Sequence, residues 1–161
     1  MFTTVFGLPL HPLIVHATVV VVPLAALTVL ASVLWPRFRG WIGWGVVALP
    51  ALALILVPLT TQSGEDLERM LPRSALIHRH AELADGLLPW VIALLVGSIG
   101  LYLWRPGVPR IANLRITPAQ GFPTWFRVLA VVIAVGAAAG TLVNVVLIGH
   151  SGATAAWTGI G

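Results

Sequence analysis

Four stretches of the chain, about Leu13–Leu34, Trp41–Thr60, Gly86–Trp104 and Trp125–Ile148, each run the length of a bilayer crossing, and Arg127 is the one formally charged residue among them. A helix needs roughly 20 mostly apolar residues to cross the hydrocarbon core, where only helices and closed barrels satisfy their own backbone. Barrel strands alternate apolar and polar residues with period two, and these runs do not, so they are expected to be helical. Composition agrees: the chain is 58% hydrophobic and 9% charged, with mean hydropathy +0.99, which excludes an ordinary soluble domain. We therefore expect an all-α integral membrane protein, one domain over residues 1–161, with four transmembrane helices in an antiparallel up-down bundle. A cleaved signal peptide is not expected at the first span, since no positive residue precedes it and it is too long for a signal core.

The span ends carry their own signals. Pro12 suits the first turn of a helix and Pro9 holds Leu8 extended, so the first helix should begin near His11 or Pro12. It should stop at Trp35-Pro36-Arg37-Phe38-Arg39-Gly40, where an interfacial Trp, a proline and two arginines coincide. Pro50 and Pro58 predict a kink and a loosened end in the second span. Gly64 then allows a sharp return of the chain that would bring Glu65 over the mouth of the bundle; a short capped helix from Glu65 to Leu71 is the alternative. The fourth span should end at Gly149-His150-Ser151-Gly152, before a tail of small residues.

Charge sets the orientation. The nine basic residues are all arginines, so a net charge of +4 and a pI near 11.5 reflect membrane topology and give no reason to expect nucleic acid as a partner. Arg37, Arg39, Arg105, Arg110, Arg115 and Arg127 fall at one end of the threaded bundle; all five acids, Glu65, Asp66, Glu68, Glu82 and Asp85, fall at the other. By the positive-inside rule the first end is cytoplasmic and both termini are extracytoplasmic.

All five histidines lie at the acidic end. His16 is one turn inside an apolar helix with no acid on its own helix to pair with, and so should find a partner elsewhere. In the stretch Ile77–Asp85, helical spacing puts His78, Glu82 and Asp85 on one face and His80 on the other. We expect the triad to be solvated and His80 to turn into the bundle toward His16; the opposite orientation would make the triad a metal-ligand or proton-relay face. Gly136 and Gly140 form a GxxxG pattern extended by Asn144, read as packing within the bundle, with a homo-oligomer contact as the alternative. The absence of cysteine excludes disulfides, iron–sulfur clusters and covalent haem attachment. No catalytic constellation is present, and hydrolase and kinase functions have no support.

Three motifs, Leu-Pro-Leu-His-Pro-Leu-Ile-Val-His at the first span, Ser-Gly-Glu-Asp-Leu-Glu after the second and Ile-His-Arg-His-Ala-Glu-Leu-Ala before the third, resemble the bacterial membrane family called domain of unknown function 2231. The resemblance covers most of the chain, and His11, His16, Glu65 and His80 match its recurring polar positions. It implies a multi-pass protein of the bacterial inner membrane. Relatives fused to Rieske or cytochrome-like domains imply redox company in the bilayer, and haem or copper over zinc. The resulting expectation is a redox cofactor, b-type haem first and copper or another transition metal second, bound by His16 and His80, with His11 and His150 as supporting or alternative ligands. Glu65 or Glu82 would orient a ligand or carry a proton, and would join His16 and His80 around a metal ion. A small transporter or metal-delivery protein, or a structural subunit of a respiratory complex, are the other expectations.

Overall fold

The computed structural model describes residues 4–5, 8–70, 74–103 and 123–157, with side chains from Ile14 onward. A two-residue antiparallel pairing of β1 (Thr4–Val5) with β2 (Leu8–Pro9) leads into α1 (Leu10–Leu34), followed by α2 (Pro36–Ile42), α3 (Gly45–Glu68), α4 (Ala75–Asp85), α5 (Leu87–Leu103) and α6 (Thr124–Trp157). Four helical stretches, with α4 and α5 joined end to end through Gly86, are long and apolar enough to cross a membrane, and they pack together as a bundle.

The ends depart from expectation in instructive ways. Pro36 does not close the first hairpin but opens α2, since a residue without an N–H is at home in a first helical turn. The chain turns only at Gly43, whose φ of 62° favours glycine, and the second span begins at Gly45 rather than Trp41. α3 then runs unbroken through Pro50, Pro58 and Gly64 to Glu68, so there is neither a return at Gly64 nor a separate helix starting at Glu65. Thr61 donates its hydroxyl to the Val57 and Pro58 carbonyls, Thr60 to that of Leu56 and Ser63 to that of Thr60, serving the backbone just beyond the proline. α6 also outruns its expected end, passing through Gly149 and Gly152 to Trp157, because packing against α4 outweighs the roughly 1 kcal/mol that each interior glycine costs a helix.

The core follows one spacing. Buried positions recur as Thr18, Val22, Ala25, Val29 and Ser32 in α1, and as Val46, Pro50, Ala53 and Val57 in α3. They recur again as Leu87, Val91, Leu94, Ser98 and Leu101 in α5, and as Ala130, Ala134, Ala137 and Thr141 in α6. Steps of four and three average 3.5 residues, the period that keeps a seam facing its neighbours in left-handed bundle packing. Lipid is as apolar as leucine, so hydropathy does not sort the faces: Ala25, Ala53, Ala134 and Ser98 turn inward beside Leu94 and Leu101, while Leu24, Leu27, Ile55, Ile92, Val132 and Val146 stay exposed. The closest approach is between α5 and α6, where a Cβ built at Gly97 would sit 2.7 Å from Ala134 Cα and one at Gly100 would sit 2.8 Å from Ala130 Cβ. The GxxxG pattern divides: Gly140 lies under the Trp90 ring, Gly136 is exposed with nothing near it, and Asn144 donates to the Gly140 carbonyl of its own helix.

Candidate ligand-binding site at the histidine end

The seam opens where the histidines are. Above a floor of Val22, Val57, Leu87 and Val145, one residue from each span, lies a cavity of about 520 Å³. Ligand pockets commonly measure about 300–1,000 Å³. Its walls are mainly aliphatic, with Ile77, Ala81 and Ala84 from α4 facing Ile148, Gly149 and Gly152 from α6. Thr18 and Thr60 meet across the α1–α3 wall with their hydroxyl oxygens 2.6 Å apart. Glu65 and Glu68 line the end away from the floor, and Asp85 lines the cavity just above Leu87.

His80 is the one histidine among the lining residues. Its Nδ1 lies 3.0 Å from Ser151 Oγ, and that hydroxyl donates to the Ile148 carbonyl at 2.9 Å. A serine has one proton to give, so both bonds hold at once only if Nδ1–H is the donor to Ser151. In the neutral imidazole this selects the tautomer whose Nε2 carries a lone pair, and no hydrogen-bond partner for Nε2 occurs among the described residues. Gly152 leaves room for the ring, because a Cβ there would stand 3.0 Å from His80 Cε1.

The other expected site residues are dispersed. His78 is 69% exposed, 3.3 Å from Glu82 and 3.9 Å from Glu68, which makes it a surface tie between α3 and α4. The expectation that His80 turns inward and His78 outward is met, but the side chain His80 reaches is Ser151 rather than His16. His16 is exposed and does not line the cavity; with Val20, Leu24 and Leu27 it forms an outward stripe on α1. His150 is exposed on α6, about 100° around the helix from Ser151. The imidazole of His11 lies outside the described side chains. Glu65 lines the cavity while paired at 3.4 Å with Arg69, and Glu82 does not line it. Ser151 and Gly152 went unrecognised in the sequence, where they read as the start of a tail; their signal was a serine and glycine at adjacent positions that one α-helical turn could present to His80.

The family model described as a predicted membrane protein, DUF2231, matches residues 7–160. The chain belongs to DUF2231. No curated protein and no solved structure matches it. For this DUF2231 protein, the cavity tests the cofactors that the resemblance implies. His80 suits one axial bond to a haem iron, with Ser151 orienting the ring from Nδ1. The charge at this end gives haem's anionic propionates a mixed reception: five carboxylates cluster here with three arginines, of which Arg69 is engaged by Glu65 and Asp66. A bare metal ion fits no better, since no group of three or more His, Cys, Asp or Glu is placed to hold one among the described residues.

Proposed function

We propose that this protein is a membrane-embedded binding protein that holds a small, largely apolar, redox-active molecule in the cavity through His80, as a component of electron transfer. The supporting observation is the cavity itself, an aliphatic chamber within a bilayer-spanning bundle with one oriented imidazole in its wall. The redox character is taken from the family resemblance; the acids in the lining disfavour an anion, and the aliphatic walls favour an uncharged occupant. The arginines at the opposite end support a reading in which the cavity opens on the extracytoplasmic side of the bacterial inner membrane. Fusion reporters at Gly161 and Gly107 should therefore give opposite readouts, and a cytoplasmic signal at Gly161 would invert this placement.

The deciding experiment extracts what copurifies with the detergent-solubilised protein and identifies it by mass spectrometry and by absorption before and after reduction. A lipid-soluble redox compound should accompany the wild type and His78→Ala, and fall at least about tenfold in His80→Phe, where the ligating nitrogen is replaced by an apolar edge. A Soret band lost in His80→Phe would restore haem as the occupant. Metal without any organic compound would favour metal delivery.

A further inference from the structure

The fixed tautomer of His80 selects among ligands. Because Nδ1–H is committed to Ser151, Nε2 accepts a hydrogen bond and does not donate one. A ligand that offers only carbonyl or ether oxygens would set lone pair against lone pair, whereas a hydroxyl or N–H would be matched. The remaining polar groups of the lining favour the same choice. Glu65, Glu68 and Asp85 are acceptors when ionised, and the two hydroxyl protons of Thr18 and Thr60 are shared among the contact between them and the Ile14 and Leu56 carbonyls of their own helices. The Thr61 hydroxyl is likewise directed to the Val57 and Pro58 carbonyls. Among the described lining residues, side-chain acceptors outnumber free side-chain donors.

We infer that the cavity is specific for neutral, membrane-soluble molecules bearing a hydroxyl donor, and that for a redox pair of the quinone class it prefers the reduced, hydroxyl form to the oxidised, carbonyl form. The inference rests on the cavity being the binding site and adds the identity of the group that His80 recognises. A matched hydrogen bond at Nε2 set against an opposed pair of lone pairs should give a preference of about tenfold, which is about 1.4 kcal/mol. For a two-electron couple, tenfold tighter binding of the reduced form raises the potential of the bound couple by about 30 mV. The site would thus favour the reduced form and make the bound couple a weaker electron donor than the free one.

The test is equilibrium binding to the detergent-solubilised full chain, in buffer alkaline enough to keep imidazoles neutral. The probes are decylhydroquinone, its quinone and its dimethyl ether. The hydroquinone should bind about tenfold tighter than either of the others, and His80→Phe should bring all three to one affinity. Ser151→Ala frees Nδ1 and lets the proton move to Nε2; it should erase most of the preference by letting the quinone and the ether bind more tightly while the hydroquinone binds as before, which a role for Ser151 in packing alone would not produce. Equal binding of all three probes to the wild type, with affinity lost in Val145→Phe, would overturn the donor preference and leave the cavity as the site. No binding of any probe would overturn both.

Discussion

α6 meets its neighbours twice through small residues, with opposite results. Toward its N-terminal end, Ala130 and Ala134 face Gly100 and Gly97 of α5, and the two backbones close until a single added methyl would overlap. Toward its C-terminal end, Gly149, Gly152, Ala155 and Ala156 face α4 and α1, and the same economy of side chain leaves a chamber of about 520 Å³. The difference lies in the partner. α5 offers glycines where α6 offers alanines, so smallness on both sides becomes contact, whereas α4, beginning beyond the Gly86 junction, meets α6 through the His80 ring, which props the helices apart while packing on Gly152. Small residues allow close approach; whether approach occurs is decided by the side chain set opposite them.

Substitutions on the two stretches should separate these roles. Gly97→Val should do the greatest damage, since even its Cβ would lie 2.7 Å from backbone. We expect a loss at or above the top of the roughly 1–3 kcal/mol range for overpacking, measured by unfolding in mixed detergent micelles. Val145→Phe, at the cavity floor, should do the reverse, raising stability by about 1 kcal/mol as it fills empty volume and abolishing retention of the ligand. Gly152→Ala presses on a side chain rather than backbone, so its cost in stability should stay below about 0.5 kcal/mol. Its effect should appear instead as ligand retention reduced several-fold, because the displaced His80 ring no longer meets Ser151 squarely. Gly136→Leu, with open space around the glycine, should change stability by less than about 0.5 kcal/mol and leave ligand retention intact. A large loss there would mean that the exposed glycine packs against a second copy of the chain.

The same distinction explains what could be read from the sequence. The number of spans follows from hydropathy, and the inward turn of His80 follows from α4, whose polar and apolar faces differ. His16 was harder to place because its helix is apolar all round. Depth shows that such a histidine needs a partner but not which way it points, and in a bilayer the outward face is as apolar as the inward one. Residue size carries the missing information, visible in hindsight in the alternation of Val22, Ala25 and Val29 against Leu24 and Leu27. Gly64 and Gly149 read as breaks on intrinsic propensity, which long-range packing overrides; the stop at Trp35-Pro36 is met, with α1 ending at Leu34, and the missing N–H of Pro36 lets it open α2 as well.

α6 has 34 residues, about 51 Å at 1.5 Å per residue, against a hydrocarbon core of about 30 Å. Hydrophobic mismatch of this size is relieved by tilting or by overhang, and the part of α6 past Ile148 that carries Ser151 and Gly152 is the part that moves out of or into the headgroup layer. Local bilayer thickness therefore sets how far the bound ligand stands from water. In a thin membrane the cavity mouth would rise clear of the lipid; in a thick one it would sink to the level of the acyl chains. Lipid composition would in this way set which solvent the cavity opens to, with no change in its own residues.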